Sequence, residues 1–186
     1  MLKIVTGIAK GRKIETLPSD VTRPTSQRIK EALFSAIQFD IESRRVLDLF
    51  AGSGQLGLEA MSRGAASCFF VDALRESIDI VKKNAKNTGF FDSSRYLVSD
   101  YRNFIRKSAG KLKFDLVFID PPYAMQCCTE ALLRLREAGL LENGAIVALE
   151  SGEEKIDFEA LPDFEILKST QYGKMSALNI FIYRGE

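Results

Sequence analysis

The spacing of apolar residues along this 186-residue chain changes period several times. Residues 2–8 (LKIVTGI) and 13–17 (KIETL) are short β-type runs on either side of Lys10-Gly11-Arg12. They read as a hairpin whose turn uses the positive φ open to Gly11. Residues 18–24, with a proline at each end, form a connector. Beyond it Ile29, Ala32, Leu33, Ala36 and Ile37 recur at i, i+3, i+4, i+7 and i+8, the apolar face of a helix. Arg28, Glu31, Ser35 and Gln38 share its other side, and Thr25 or Ser26 is placed to cap it.

From Arg45 onward the period alternates between strand and helix. Strand-like runs fall at 46–50 (VLDLF), 68–72 (CFFVD), 96–99 (YLVS), 114–119 (FDLVFI) and 145–149 (AIVAL). Their apolar residues scarcely alternate, as expected of parallel strands covered on both faces. Between them Leu74, Ile78, Val81 and Ala85 make one helical stripe, stopped by Gly89. Cys128, Ala131, Leu132 and Leu135 make another, stopped by Gly139. This alternation predicts a doubly wound, mostly parallel α/β sheet with right-handed crossovers. Residues 164–170 and 176–183 are two strands joined by a short turn at Gly173. They are too close for a crossover helix and are expected to pair antiparallel.

Length and composition narrow the chemistry. The chain fits one domain able to fold without disulfides or a metal. It has no histidine, which excludes a Ser–His–Asp triad, a Cys–His dyad and every His-ligated metal. Cys68, Cys127 and Cys128 form no CxxC pair and leave an odd count, so no metal site is expected, and reduced thiols fit a cytoplasmic protein. The longest apolar run, Ala145 to Leu149, is far short of a membrane span, and the strand-like stretch after Lys3 has no signal-peptide core. Charge is uneven. Residues 1–30 carry seven Lys and Arg against two acids, while the remainder is net −4. A basic N-terminal segment on a mildly acidic body points to an anionic partner at one end, or to a solvated basic surface.

Two motifs carry chemistry. The run Asp48-Leu-Phe-Ala-Gly52-Ser53-Gly54-Gln-Leu-Gly57 follows the first parallel strand and opens a helix. Its glycines satisfy GxGxxG, permitting a tight turn and close approach of a ligand to backbone N–H groups. Asp72 lies 20 residues past Gly52 at the end of the next strand, where a carboxylate reaches ribose hydroxyls or caps the following helix. The second motif, Asp120-Pro121-Pro122-Tyr123, ends the fourth parallel strand. Its prolines remove two N–H donors and leave carbonyl acceptors. Asp120 adds a carboxylate and Tyr123 an aromatic face. Acceptors beside a stacking ring suit a planar base with an exocyclic amine: bonding the amine hydrogens localises the nitrogen lone pair.

A glycine loop followed by Asp-Pro-Pro-Tyr resembles S-adenosylmethionine-dependent methyltransferases that act on an exocyclic amine of a nucleic-acid base. Over the whole chain the resemblance is to the bacterial 16S ribosomal RNA guanine-N2 methyltransferase family, the RsmD type. It is carried by GIAKGRKIETLP, by Arg23-Pro24-Thr25 with Arg28, Glu31 and Phe34, by DLFAGSGQLGLEA, by the DPPY, by Glu150-Ser151, and by Tyr172-Gly173-Lys174. The Arg-Pro-Thr segment separates this family from adenine-N6 and cytosine-N4 enzymes, which share the DPPY type.

The resemblance implies a Rossmann-like class I methyltransferase fold. Its sheet has seven strands, mostly parallel, ending in antiparallel pairing. A basic hairpin extension over residues 1–22 docks RNA, and residues 23–186 form the methyltransferase domain. It implies S-adenosylmethionine as cofactor, S-adenosylhomocysteine as product, and transfer to N2 of one guanine of 16S rRNA, guanine 966. Cofactor contacts fall on Asp48, Phe50, Ala51, Gly52, Ser53, Gly54, Asp72, Asp100 and Tyr101; family members often carry Glu and Asn at the positions of Asp72 and Asp100. Asp120, Pro121, Pro122 and Tyr123 hold the target guanine. Lys10, Arg12, Lys13, Arg23, Thr25 and Arg28 contact RNA. The expected partner is 16S rRNA, within a small-subunit ribosomal particle, and the expected state is a monomer without membrane attachment.

Three rival functions fit less of the chain. An NAD-type oxidoreductase gives Asp-Pro-Pro-Tyr no role. A DNA adenine methyltransferase would call for a target-recognition insertion, and none is evident in the chain. A non-catalytic RNA-binding module does not need both motifs. Cys127 and Cys128 are expected to pack rather than react, with no basic neighbour to activate them. Phe90-Phe91 is expected to pack at a helix end. Glu150-Ser151 either touches substrate or ends its strand.

Overall fold

The protein is described as a computed structural model over residues 2–17, 24–174 and 176–185, with backbone alone for residues 24–26 and 123. The connector expected at 18–24 and Arg23 therefore lie outside the described residues, apart from Pro24. So do the side chains of Thr25 and Tyr123.

A two-stranded sheet, β1 (Leu2–Lys3) and β2 (Lys13–Ile14), precedes α1 (Pro24–Ala36). A seven-stranded sheet follows. It contains β3 (Arg45–Asp48), β4 (Ser67–Asp72), β5 (Ser94–Val98), β6 (Phe114–Ile119), β7 (Leu141–Ser151), β8 (Phe164–Tyr172) and β9 (Ser176–Tyr183). The helices between are α2 (Gln55–Ser62), α3 (Arg75–Thr88), α4 (Tyr101–Ser108) and α5 (Cys128–Glu137). Strand order is β5-β4-β3-β6-β7-β9-β8. Pairing is parallel from β5 to β7, and β9 runs antiparallel to both β7 and β8. The expected doubly wound sheet with an antiparallel end is therefore present.

The sheet is buried on both faces because the inner stretches of its central strands, residues 46–47, 116–119 and 145–149, are apolar at every position. Leu116 and Phe118 of β6 join α1, α2 and α3 in one core, while Val117 and Ile119 join α4 and α5 in the other. Helix ends obey local signals. Gly89 (φ 88°) ends α3, and Asp100 caps α4 through the N–H groups of Arg102 and Asn103. The start of α5 takes its cap from afar: Glu154 accepts the N–H groups of Cys128 and Thr129.

Several boundaries differ from expectation. The N-terminal strands shrink to two residues each, because beyond the Ile4–Arg12 and Ile4–Gly11 bonds the intervening backbone turns to α2. Val5 and Thr6 N–H donate to the Glu59 carboxylate (2.8 and 3.0 Å), and Ile8 N–H donates to the Ser62 carbonyl. Gly7 (φ 85°) is obligatory there, since a Cβ would lie 1.8 Å from the Ser62 oxygen. Helix α1 begins at Pro24, so Thr25 and Ser26 lie in its first turn and do not cap it; proline suits that first position, where its missing N–H is no loss. The edge strand β5 is not covered on both faces: Leu97 and Val98 are exposed. The strand expected at 145–149 runs on to 141–151, with an irregular register against β6.

Candidate active site

The chain reverses direction across the sheet between β3 and β6, and in such sheets ligands bind beyond the carboxyl ends of the strands at that switch point. A cavity of about 1110 Å³ opens there. Residues after β3, β4, β5 and β6 line it together with Ala148 and Glu150 of β7 and parts of α1, α2 and β9.

Asp48 ends β3, buried, and accepts the Gly57 N–H at 2.9 Å. Burial pushes its carboxyl up to about 7, against the Gly57 N–H, and nearby Asp72 adds to the rise. The loop after it is pinned by Ala51 N–H to the Val71 carbonyl, and Gly52 and Gly54 turn it with φ of 52° and 80°. Gly57 serves packing: a Cβ would meet the Phe70 ring at 2.3 Å, so glycine alone lets α2 lie against β4.

Asp72 does not cap α3, whose N-cap is Leu74, but braces the backbone on both sides of the cavity. One oxygen accepts the Gly52 N–H and the other the Leu74 N–H, each at 2.9 Å, and the residue still lines the cavity. Asp100 caps α4 through one oxygen, Oδ1, at the cavity wall. Phe50 and Tyr101 form a tilted ring pair 5.2 Å apart beside it. The Tyr101 hydroxyl donates to Glu130, which Arg102 and Arg134 also hold.

At the end of β6, Asp120, Pro121 and Pro122 line the cavity. Of the two carbonyls expected to remain open, that of Pro122 is taken by the Met125 N–H at 2.9 Å, closing a single 3-10 turn (Tyr123–Met125). This leaves the Pro121 carbonyl as the acceptor beside Asp120. Glu150 of β7, Ser176 of β9 and the turn Tyr172-Gly173-Lys174 face the same space. Ser151 is buried and ends the strand.

Of the candidate RNA contacts, Lys10, Arg12, Lys13 and Arg28 do not line the cavity. Lys10, Arg12, Lys13 and Arg28 are exposed, the first three on the N-terminal arm. Arg12 donates to the Asn87 carbonyl at 3.3 Å. Cys127 and Cys128 are buried as expected, and burial pushes both thiols up. Phe90 is buried and Phe91 stacks on Tyr96 at 5.3 Å, also as expected.

Sequence reading missed two residues that set this geometry. Glu59 looks like a surface position of α2 yet is fully buried and anchors the arm. Asn84 interrupts the apolar stripe of α3. Its amide accepts the Glu15 N–H and donates to the carbonyls of Glu15 and Ser53, tying arm to glycine loop. An uncharged polar residue three positions past Val81, beside the apolar stripe, was the available signal.

Known proteins share this arrangement. A family model described as Conserved hypothetical protein 95 matches residues 2–181. The Bacillus subtilis protein YlbH is 32% identical over 99% of this chain and 100% of its own length. The Ribosomal RNA small subunit methyltransferase D of Haemophilus influenzae is 32% identical over 83% of this chain and 80% of its own. Among solved structures, yhhF from Escherichia coli superposes with a TM-score of 0.86 at 28% identity, covering 100% of this chain and 99% of that one. The likeness runs along nearly the full length, and the chain belongs to the Conserved hypothetical protein 95 family, the RsmD-like methyltransferases.

Proposed function

We propose that the protein transfers the methyl group of S-adenosylmethionine to the exocyclic N2 of a guanine in small-subunit ribosomal RNA, guanine 966 by family resemblance. The observation that carries this reading is that the glycine loop and the Asp120-Pro121-Pro122 segment open onto one cavity at the switch point. At about 1110 Å³ it has room for a cofactor and a base together. Relatives named as rRNA small-subunit methyltransferases support the substrate class.

The residues fit the cofactor. Asp72 stands where a carboxylate meets ribose hydroxyls, with Phe50, Tyr101 and Asp100 beyond it for an adenine ring. When bound, S-adenosylmethionine supplies an activated methyl on a cationic sulfur. The chain supplies position and electrostatics. Asp120 and the Pro121 carbonyl accept the hydrogens of the incoming amine and point its lone pair toward the cofactor side. Transfer would form a C–N bond as the C–S bond broke, releasing S-adenosylhomocysteine, and the Asp120 carboxylate would take the surplus proton from the nitrogen. Stacking on Tyr123, about 1–3 kcal/mol, offsets part of the cost of taking the base out of its stack. The arm, residues 1–22, docks on RNA phosphates through Lys10, Arg12 and Lys13, and Arg23, Thr25 and Arg28 add RNA contacts by family resemblance.

The test is methyl transfer from labelled S-adenosylmethionine to naked small-subunit rRNA, assembled small subunits and duplex DNA. Label on N2 of one guanine, lost in Asp120→Ala while that variant still binds cofactor, is the expected result. Label on DNA adenine alone would overturn the substrate; equal loss of binding and transfer would make Asp120 structural.

A further inference from the structure

The acidic body of the chain carries a second basic region. Residues 101–113 hold Arg102, Arg106, Lys107, Lys111 and Lys113 and no acid, while the rest of residues 31–186 is net −9. All five lie on α4 or the turn after it, and all are exposed. Two have acidic partners: Arg102 pairs with Glu130 at 2.6 Å and Lys113 with Glu142 at 3.6 Å. Among the described residues no carboxylate pairs with the other three. Arg106 donates to the Asn103 side chain, and the Lys111 amine to the Lys107 carbonyl at 3.1 Å. That last bond brings Lys111 back against the end of α4, beside Lys107. Arg106 and Lys107 suit the negative end of the helix, but Lys111 lies beyond it. Like charges four residues apart repel, so stability offers no reason to gather them.

Their position offers one. A groove of about 450 Å³ between α4 and α5 is lined by Arg102, Arg106 and Arg134. Asp100 lines both this groove and the large cavity, so the basic face begins at the wall of the active site. From there α4 runs eight residues, about 12 Å, to the cluster at its end. The sheet separates this face from the arm. The arm bonds to α2 and α3, which pack on one side, whereas α4 and α5 pack on the other. The cavity opens at the strand ends between the two basic surfaces. A polynucleotide that places one base in that cavity has backbone leaving it in two directions, and the arm serves one. Exposed Lys and Arg without counter-ions are the groups that phosphates recruit. We propose that Arg106, Lys107 and Lys111 form a second dock for RNA backbone phosphates, on the face opposite the arm. This rests on small-subunit rRNA being the substrate.

The experiment titrates naked small-subunit rRNA against the wild-type protein and a variant combining Arg106→Gln, Lys107→Gln and Lys111→Gln, over a series of salt concentrations. S-adenosylhomocysteine binding and methyl transfer at saturating RNA are measured beside it. RNA affinity at about 0.15 M salt is expected to fall about ten- to hundred-fold, and the slope of log affinity against log salt to shrink by about two to three, as for three lost phosphate contacts. S-adenosylhomocysteine binding and the saturated rate are expected to stay as in the parent, since none of the three residues lines the cavity. Unchanged RNA affinity and slope overturn the dock. Unchanged affinity for naked RNA with weaker binding to assembled small subunits also overturns it, by giving the face to an acidic protein. Weakened S-adenosylhomocysteine binding overturns it by showing that α4 has moved. A wild-type protein that neither binds nor methylates the rRNA overturns the substrate reading, and the dock with it. If the triple variant does not fold, Lys107→Gln with Lys111→Gln is held to the same outcomes, with a slope change of about one to two.

Discussion

Asp48 stores an electrostatic cost that a single substitution can release. The carboxyl is 2% exposed, at the carboxyl end of the first strand of the large sheet. Its pKa rises from 3.8 to about 7 because burial penalises the charge. That is about three units, and at about 1.4 kcal/mol per unit the ionised form costs the fold about 4 kcal/mol. The folded chain binds this proton more tightly than the unfolded chain. The penalty is therefore absent below pH 3.8, grows as pH rises toward 7, and is constant above it. Asp48→Asn keeps an oxygen for the Gly57 N–H and removes the charge. At pH 8 the variant should be more stable than the parent, by up to about 4 kcal/mol, with the gain shrinking to nothing near pH 4. Urea unfolding of both proteins at pH 8, 6 and 5, with matched m-values, reads this directly. A difference independent of pH, or a variant less stable at pH 8, refutes the reasoning. The same variant should bind S-adenosylmethionine more weakly, since the ionised carboxylate favours a cationic ligand, a trade of function against stability.

Other substitutions test the remaining parts of the site. Asn84→Ala removes a side chain that serves two Glu15 backbone groups and the Ser53 carbonyl. It should lower unfolding stability by about 1–3 kcal/mol and weaken cofactor binding; unchanged values for both would show that the tie is incidental. Tyr123→Ala should slow methyl transfer about five- to hundred-fold, the range set by about 1–3 kcal/mol of stacking. Tyr123→Phe should slow it far less, and equal losses in rate assays would remove the ring from base recognition.

What the sequence revealed depended on how local each cause was. The central strands were legible because Leu116 to Ile119 is apolar at every position, a pattern that only a doubly covered strand explains. The glycine loop and Asp-Pro-Pro-Tyr were legible because turn geometry is written in adjacent residues. The arm was half legible: its turn at Gly11 was plain, but its short strands were not, because their replacement partner, Glu59, is more than fifty residues away. Pro122 misled for the opposite reason. A proline lacks a donor whatever its context, yet its carbonyl was taken three residues on by Met125. The burial of Lys30 gave no sign at all, since a lysine at that helical position reads as solvent-facing until the rest of the fold encloses it.

The amide of Asn84 has a mechanical consequence. It grips the basic arm by both backbone groups of Glu15 and the glycine loop by the Ser53 carbonyl. A load applied to the arm by the polyanion proposed to dock there would reach the glycine loop through this amide. By reciprocity, a ligand that tightens the loop also stiffens the arm against the polyanion. Docking and cofactor binding thereby become two handles on one lever.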